Sequence, residues 1–221
     1  MKKVFCFIPI KSRSERVVGK NLRLLGDKPL YQYTLDTVHQ TSCFDEVYVD
    51  TDSPEVKNYA ENKGFKIIDR IPELSENTAN GNDLINYWAS TYDADIYFQI
   101  FVTCPFTSVR TIEECVFLLT NGKKNDSVFT AVKQNGWFWY NGKAVNYEPK
   151  ILPRSQDATM PLKETTGVYG IKKDALLSRK CRIGERPYVY YVDDVEAIDI
   201  DNEFDFKLAE TINNESKKNY V

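Results

Sequence analysis

The sequence has few of the residues that many enzymes use for acid–base or metal chemistry. Its 221 residues include one histidine, His39, so a histidine-rich metal site and a Ser-His-Asp triad are nearly excluded. There are five cysteines, an odd number, and they are widely spaced with no CxxC pair. This pattern predicts a reduced, cytoplasmic protein with buried thiols rather than a disulfide framework.

The sequence also lacks a charge excess and long apolar runs. Lys and Arg number 29 against 32 Asp and Glu, a net charge of −3, so there is no general basic field to attract nucleic acid. The longest apolar runs, "VFCFIPI" and "IYFQIFV", are far shorter than the roughly 20 residues of a membrane span. The run after "MKK" has no small-residue cleavage site, so it does not resemble a signal peptide. We therefore expect neither a nucleic-acid nor a membrane partner.

Strand-like and helix-like segments alternate through the first 120 residues. "KVFCFIPI" is a continuous apolar strand of the kind that is buried on both faces. "SPEVKNYAENKG" reads as a helix with Ser53 as N-cap, Pro54 at its first position and Gly64 as C-cap. Strict alternation predicts the α/β class, a Rossmann-like, doubly wound and mostly parallel sheet covered on both faces. Late in the chain, "VEAIDIDNEFDFKLAETINN" is interpreted as a strand that runs into a terminal helix.

The alternation of strand-like and helix-like segments is interrupted over residues 134–165. "GWFWYNGKAVNYEPKILPRSQD" is aromatic, contains two prolines, and has a hairpin-like Asn141-Gly142 turn. We interpret this segment as an arm inserted into one domain that spans residues 1–221. For the aromatic run 137–140, core or dimer contact is a better interpretation than sugar stacking.

A cationic loop, "IPIKSRSERVVGKNL", follows the first strand although the chain is acidic overall. Ligands of open α/β sheets bind at the carboxyl ends of the strands, and helix N-termini attract phosphate. The loop lacks the P-loop and GxGxxG patterns. It predicts a flexible cradle for a polyphosphate, with a merely solvated basic loop as the alternative. The candidate ligands are Lys11, Ser14, Arg16, Lys20 and Asn21.

Two pairs of aspartates stand two residues apart. Asp199 and Asp201 lie in "EAIDIDNEFDF", and in a strand both carboxylates would point to one face and suit Mg²⁺. The alternative is a polar strand end with Asp201 or Asn202 capping the next helix. A rival pair is Asp50 and Asp52 in "DTD", and either pair matches the DxD pattern of nucleotide-sugar glycosyltransferases.

Two further stretches with candidate site residues follow directly after predicted strands. In "DRIPELSENTANGNDLI", Arg70 follows the third strand and the Asn80, Gly81, Asn82 turn opens a helix, so both offer partners to a base or ribose. Helix capping by Asn82 or Asp83 is the alternative. In "FVTCPFTS", Thr103 faces the same cleft edge. Its neighbour Cys104 has no histidine partner and is not expected to be a nucleophile.

These four stretches, in this order, resemble the cytidylyltransferases that activate 3-deoxy-2-ulosonic acids, the acylneuraminate and 3-deoxy-manno-octulosonate family. "IPIKSRSERVVGKN" resembles the family's "IPARxGSKxxPGKN", and "RIPELSENTA" its "RxPELxxDTA". "FVTCPFTSVR" corresponds to "QPTSPLR", and "IDIDNEFDFKLAE" is nearly "IDIDTEEDFxxAE". The resemblance covers residues 4 to 210. It implies a nucleotide-diphospho-sugar transferase-like fold and disfavours the glycosyltransferase interpretation.

The resemblance implies transfer of CMP from CTP to the anomeric hydroxyl of a sialic, legionaminic, pseudaminic or octulosonate-type acid, with release of pyrophosphate. The cationic loop would hold the triphosphate, whereas Arg70 and residues 80–82 would contact the cytidine. Asp199 and Asp201 would bind Mg²⁺, and Asp201 would also accept the hydroxyl proton. The groups implied in catalysis are Lys20, Arg16 and Asp201.

The acceptor half departs from the family pattern, with Phe101 in place of a glutamine, and Lys11 replaces an arginine in the nucleotide half. In the family, the arm contributes to the sugar site of a partner, which implies a homodimer. Alternatives are the same transfer to a non-sialic acceptor such as a phosphonate, or an inactive nucleotide-binding homologue. The residues expected to bind the acceptor are Thr103, Lys133, Arg154, Gln156 and Thr166.

Overall fold

The computed structural model describes residues 2–14, 16–75 and 78–218. Among these residues, the main sheet has seven strands: β1 (Val4–Ile10), β4 (Glu46–Thr51), β5 (Lys66–Asp69), β6 (Ile96–Ile100), β7 (Ser127–Lys133), β10 (Leu162–Lys172) and β11 (Pro187–Tyr191). Two small hairpins pair β2 (Leu24–Leu25) with β3 (Lys28–Pro29) and β8 (Trp139–Tyr140) with β9 (Lys143–Ala144). The helices are α1 (Leu30–His39), α2 (Pro54–Asn62), α3 (Pro72–Ser75), α4 (Gly81–Thr91), α5 (Val109–Asn121), α6 (Lys173–Arg179) and α7 (Glu203–Lys218).

The strand order across the sheet is β11-β7-β10-β6-β1-β4-β5. Strand β1 pairs in parallel with β4 and with β6, and β4 pairs in parallel with β5. At the other edge, β11 pairs in parallel with β7. The β10 strand is antiparallel to both β6 and β7. The predicted fold class, a mostly parallel Rossmann-like sheet, is confirmed, and β10 is the reversed strand within it.

Helices cover both faces of the sheet. Alternate residues of β1 separate into two buried clusters, with Ile8 in one and Phe7 in the other, because side chains of a strand alternate between faces. The first cluster includes side chains from α1, α2 and α5, and the second includes side chains from α4 and α6. On the second face the rings of Phe7 and Trp88 stack with centroids 4.9 Å apart. No helix among the described residues is long and apolar enough to cross a membrane.

Local capping follows the sequence pattern at α2. The Ser53 hydroxyl accepts a hydrogen bond from the Val56 amide at 3.4 Å, and Pro54 is the first helical residue. Lys63 is the C-cap, so the helix ends one residue earlier than expected. Gly64 follows with a φ of +79°, a conformation that glycine adopts without steric cost. The five cysteines are free thiols, as expected.

The predicted strand over "VEAIDID" is wrong. Residues 194–197 form a turn, and residues 198–201 pair with no strand of the sheet. The Ile200 amide instead donates to the carbonyl of Thr103 at 2.9 Å. Ile200 is fully buried in a third apolar cluster together with Val17, a residue of the cationic loop. Ile200 is therefore buried against this loop and not within the sheet. The last strand is β11, which the alternating pattern did not predict.

Residues 134–161 leave the sheet before β10 begins. The hairpin expected at Asn141-Gly142 is present between β8 and β9, with both turn residues at positive φ, +47° and +73°. Several large apolar side chains of the arm face solvent, including Trp139 and Ile151, which are 58% and 76% exposed. These side chains do not contribute to the core of this chain.

Candidate functional site

A cavity of about 550 Å³ opens at the carboxyl end of β1 and β6. The loop after β1, the segment from Arg70 to α4, the loop after β6 and the 199–201 segment contribute its walls. The predicted site residues that line it are Lys11, Ser14, Arg16, Lys20, Asn21, Arg70, Asn80, Gly81, Thr103, Thr166, Asp199 and Asp201. Asn82, Lys133, Arg154 and Gln156 are not among the lining residues.

The cationic loop is anchored rather than loose. The amide and hydroxyl of Ser12 donate to the two carboxylate oxygens of Asp52 at 2.6 and 2.8 Å. Burial opposes ionisation of Asp52, but these hydrogen bonds lower its pKa. The Asn21 side-chain amide donates to the carbonyl of Lys11 at 2.8 Å, which joins the two ends of the loop. Gly19 allows the turn between them, with a φ of +63°.

Lys20 and Arg16 bring the loop against the far end of the chain. Lys20 is buried, 7% exposed, and its Nζ donates to the carbonyl of Ile200. Burial lowers the pKa of Lys20, and the carboxylates of Asp201 and Asp199 oppose that shift. Arg16 is exposed, and its Nη2 lies 2.8 Å from Oδ1 of Asp201. The two cations therefore lie beside the two carboxylates.

The 199–201 segment presents oxygen atoms to the cavity. Oδ1 of Asp199 is buried and has no hydrogen-bond partner among the described residues. The following helix does not use Asp201 as its cap, because the Asn202 side chain accepts from the amides of Phe204 and Asp205 at 2.8 and 3.0 Å. The capping alternative therefore applies to Asn202, and both predicted metal ligands remain at the cavity wall.

The rival aspartate pair holds protein groups instead. Asp50 is 1% exposed and accepts from Arg70 Nε at 2.7 Å and from Trp88 Nε1 at 2.7 Å. Asp52 accepts from Ser12, as described above. These contacts make both carboxylates structural, and they fix Arg70 at the cavity wall through a buried ion pair.

The N-terminus of α4 is closed by a capping box. The Asn80 side chain accepts from the Asn82 amide at 2.8 Å, and the Asp83 carboxylate accepts from the Asn80 amide at 2.9 Å. Asn80 is the N-cap, although the sequence-based alternative named Asn82 or Asp83. The Asn82 side chain points to another partner, since its Oδ1 accepts from the Arg182 amide at 2.9 Å. Its predicted contact with cytidine remains a prediction without support from the cavity lining.

Two threonines face each other below the cavity. Oγ1 of Thr103 lies 3.0 Å from Oγ1 of Thr166, and the Cys104 sulfur lies 3.5 Å from the same Thr166 atom. Burial raises the pKa of Cys104 to about 12, so its thiol stays protonated at neutral pH. This agrees with the expectation that Cys104 is not a nucleophile.

The acceptor residues predicted in the arm lie outside the cavity of their own chain. Lys133 is exposed and places Nζ 4.8 Å from the centroid of the Tyr191 ring. Arg154 is exposed and pairs with Asp157 at 2.6 Å, and Gln156 is exposed. Their assignment to an acceptor site stays a prediction that requires a second copy of the chain.

Sequence reasoning missed Arg182, which is not itself a lining residue but lies against two residues that are, Gly81 and Phe101. Its guanidinium carbon lies 3.7 Å from the centroid of Tyr169 and 5.7 Å from that of Phe101, a lining residue. Arg182 is an isolated cation in "CRIG", a stretch that carries no motif and no periodicity. Only the folded chain brings it to this edge.

No group of three or more His, Cys, Asp or Glu side chains that might hold a metal occurs among the described residues. Asp199 and Asp201 would therefore need oxygen ligands from a substrate or water to complete a metal site. Carboxylate and phosphate oxygens are the ligands that Mg²⁺ prefers. The unpartnered Oδ1 of Asp199 fits such an ion.

Comparisons with known proteins identify the family and the fold of the chain. A family model described as cytidylyltransferase matches residues 5–188. An N-acylneuraminate cytidylyltransferase of Escherichia coli O18:K1:H7 is 27% identical over 224 residues, 98% of this chain and 53% of that protein. A CMP-N,N'-diacetyllegionaminic acid synthase of Legionella pneumophila is 26% identical, with 95% of this chain and 96% of that protein covered.

The chain spans about half the length of the N-acylneuraminate cytidylyltransferases that it matches, such as that of Danio rerio, of which 50% is covered. Among solved structures, a CMP:2-keto-3-deoxy-manno-octonic acid synthetase complexed with CTP gives a TM-score of 0.71 at 19% identity. The alignment covers 97% of this chain and 99% of the other. This likeness confirms the nucleotidyltransferase-type fold.

Proposed function

The chain belongs to the cytidylyltransferase family, and on this premise we propose that it transfers CMP from CTP to an acidic sugar and releases pyrophosphate. The observation that carries the proposal is the meeting of Lys20 and Arg16 with Asp199 and Asp201 at one cavity. The proposed acceptors are 3-deoxy-2-ulosonic acids of the sialic, legionaminic, pseudaminic or octulosonate type. The names of the relatives with matching sequences and folds support this class.

The nucleotide side of the cavity supplies cations and hydrogen-bond partners. In this proposal Lys11, Ser14, Arg16, Lys20 and Asn21 hold the triphosphate, because they lie on one anchored loop. The buried Oδ1 of Asn21 has no hydrogen-bond partner among the described residues, which suits a bound ligand. Arg70 and the turn at Asn80 and Gly81 line the opposite wall and are proposed to contact cytidine.

Asp199 and Asp201 are proposed to hold Mg²⁺ together with phosphate oxygens. When bound, the ion would neutralise charge on the phosphates during transfer. Lys20 lies beside both carboxylates and would bind the same phosphate oxygens from the other side. Arg16 pairs with Asp201 in the free protein. In the proposed complex, some of its N–H groups would donate to the triphosphate instead of to Asp201.

In the proposed reaction, the anomeric hydroxyl oxygen of the acceptor attacks the α-phosphorus of CTP. The new oxygen–phosphorus bond forms as the bond between the α-phosphorus and its bridging oxygen to the β-phosphate breaks, so pyrophosphate leaves. Asp201 accepts the hydroxyl proton directly or through water. Such a displacement depends on positioning and charge neutralisation, which explains how the site would operate without a histidine.

The proposal extends to a homodimer built on the arm. Trp139, Tyr140 and Ile151 are 58%, 71% and 76% exposed, which is unusual for large apolar side chains clustered in one segment. We propose that a second copy covers them and that Lys133, Arg154 and Gln156 then lie beside the partner's cavity. Their exposure in one chain is compatible with that role.

The test is pyrophosphate release from CTP with Mg²⁺ and a panel of ulosonic acids and phosphonates. Release with a sialic-type or octulosonate-type acid is the expected result. Release with a phosphonate alone would favour the non-sialic acceptor, the alternative raised by Phe101, which lines the cavity in place of the family's glutamine. Binding of CTP without any release would overturn the enzymatic proposal in favour of an inactive homologue.

A further inference from the structure

The side chain of Arg182 is held in one place at the edge of the cavity. Its guanidinium stacks on Tyr169 at 3.7 Å, and Tyr169 is 1% exposed beneath it. The Arg182 amide donates to Oδ1 of Asn82 at 2.9 Å, and the carbonyl of Lys180 accepts from the Asn86 side chain at 2.9 Å. The 180–182 turn is therefore fixed to the first turns of α4.

The guanidinium reaches residues that line the cavity. A Cβ added to Gly81 would lie 2.5 Å from Nη1 of Arg182, so the guanidinium fills the space that a side chain at position 81 would take. The Phe101 ring lies on another side, 5.7 Å from the guanidinium carbon to the ring centroid. Gly81 and Phe101 both belong to the cavity wall.

Arg182 keeps its hydrogen-bonding capacity for a ligand. The structure shows no ion pair between Arg182 and a carboxylate among the described residues, whereas Arg70, Arg154 and Arg179 each have one. Stacking on an aromatic face leaves the N–H groups at the edge of a guanidinium free to donate. Phe101 supplies no donor on this wall, so Arg182 is the cation nearest to it in the described contacts.

A second unsatisfied polar group lies at the same point. Gln99 is fully buried, and its Nε2 donates to the carbonyl of Gly81 at 3.1 Å. Its Oε1 has no hydrogen-bond partner among the described residues and lies 3.3 Å from the position of a Cβ added to Gly81. A stacked guanidinium and an unpartnered amide oxygen thus lie beside Gly81, at one corner of the cavity wall.

The position of this corner indicates what it binds. Tyr169 lies three residues along β10 from Thr166, at most about 10 Å, because the register of the strand shifts between Glu164 and Tyr169. Thr166 lines the cavity together with Thr103 and Asp199. A ligand group that meets Arg182 is therefore displaced along β10 from the group that meets Thr166 and the carboxylates.

We infer that Arg182 binds oxygen atoms on the part of the acceptor sugar remote from the attacking hydroxyl, and so determines which acid is used. The fork of the guanidinium matches acyl carbonyl and vicinal hydroxyl oxygens of a nine-carbon acid, which extend further than an eight-carbon chain. The inference rests on the proposed function, because it assumes an ulosonic acid in the acceptor part of the cavity.

The experiment compares Arg182→Met and Arg182→Lys with the wild type, using Arg179→Met as the matched control. Arg179 lies three residues away and pairs with Glu185, whereas Arg182 lies against Gly81 and Phe101 of the cavity wall. We expect Arg182→Met to raise the KM for a nine-carbon acid about 10- to 100-fold, the usual effect of losing charge-assisted hydrogen bonds. The KM for CTP should stay within about twofold if Arg182 binds the acceptor. Gly81, which is proposed to contact cytidine, lies against the guanidinium, so a larger rise would assign Arg182 to the nucleotide instead.

An eight-carbon acid that lacks the remote substituents should lose less than about threefold in the same variant, since it does not reach Arg182. Arg182→Lys keeps a positive charge over the Tyr169 ring but removes the two parallel N–H donors of the guanidinium. This variant therefore tests the bidentate hydrogen bonding separately from the cation–ring contact. It should retain the wild-type melting temperature and CTP affinity but not the low KM for the nine-carbon acid.

The outcomes separate this inference from the proposed function. If the wild type releases no pyrophosphate with any acid, both are wrong. If the wild type turns over and Arg182→Met keeps its acceptor KM, only the role of Arg182 is wrong. A rise in the KM for CTP, or equal losses with the eight-carbon and nine-carbon acids, would also overturn it.

Discussion

Arg70 and Asp50 form a buried ion pair, with Nε of Arg70 2.7 Å from Oδ1 of Asp50 and side chains only 3% and 1% exposed. The second carboxylate oxygen accepts from Trp88 Nε1. The pair connects β4, the segment after β5 and α4, so it fixes the wall of the cavity proposed to hold cytidine.

Asp50→Asn should destabilise the protein by about 3–5 kcal/mol, because it leaves the Arg70 charge buried without a partner. Urea unfolding followed by circular dichroism would measure the loss. The control is Asp69→Asn, which breaks the exposed pair with Lys57 and should cost less than about 1 kcal/mol. Equal losses in the two variants would show that burial of the pair does not matter.

Asp201→Asn and Asp199→Asn should each reduce turnover by about a thousandfold, because each removes a proposed ligand of the metal. The affinity for CTP measured without metal should change by less than about tenfold, since the triphosphate is proposed to bind to the cationic loop. Asp194→Asn is the control, an exposed aspartate of the preceding turn. Turnover within a few-fold of the wild type in both variants would contradict the metal assignment.

Lys20→Met should weaken CTP binding about 10- to 100-fold, because a buried cation beside the phosphates is lost. The pH dependence has a definite sign. Burial lowers the pKa of Lys20 in the free protein, and a bound triphosphate favours the charged form, so binding takes up protons. CTP affinity in the wild type should therefore fall as the pH rises through that lowered pKa, below the ordinary lysine value.

Titration calorimetry across the alkaline range, in buffers of different ionisation enthalpy, would measure this proton uptake. Lys57→Met serves as the control, because Lys57 is half-buried and does not line the cavity, and it should bind CTP with the pH profile of the wild type. Proton uptake that persists in Lys20→Met would assign it to another group.

Asp36 should contribute acid-sensitive stability remote from the cavity. Burial alone would raise its pKa, but hydrogen bonds from Lys28, Tyr59 and Lys63 lower it to about 2. The depressed pKa stabilises the fold above the unfolded value, and this contribution is lost as the pH falls from about 4 to about 2. After allowance for solvent screening, the effect is on the order of 1 kcal/mol.

Asp36→Asn should accordingly remove part of the stability at neutral pH and flatten its decline in that acidic window. Unfolding curves of the two proteins at matched pH values would measure both effects. A constant difference between the variant and the wild type down to pH about 2 would contradict the assignment.

Replacing Trp139 and Ile151 by glutamate should convert the proposed dimer to a monomer, because the new charges would lie in the apolar contact. Light scattering after size exclusion would measure the mass. The melting temperature should change by only a few degrees, since both side chains are exposed in the single chain. A wild type that is monomeric at micromolar concentration would contradict the dimer directly.

The sequence predicted secondary structure best where a local pattern, such as an apolar run or a helix cap, determines the element. The continuous apolar run of β1 predicts burial on both faces, and Ser53-Pro54 predicts the start of α2, because these patterns depend on neighbours in the chain. The position of the cationic loop at the cavity follows from the shared carboxyl edge of parallel strands.

The sequence was less informative where contacts join distant segments. The alternation in "AIDID" has the period of a strand, but Ile200 is buried against Val17 rather than in the sheet. Asn82 looked like a turn ligand until the structure paired it with the amide of Arg182. Arg182 itself gains its position from Tyr169 and Gly81, and no local pattern reports such a contact.

The hydrogen bonds of Ile200 also have a consequence for the order in which the protein matures. The last strand of the sheet ends at Tyr191, so a chain emerging from the ribosome can complete the whole sheet before Asp199 and Asp201 are outside. The Ile200 backbone then docks between Thr103 and Lys20, groups made much earlier in synthesis. A nascent chain would thus form the cationic loop first and bring Asp199 and Asp201 to it last, so the cavity wall would be complete only when folding is nearly finished.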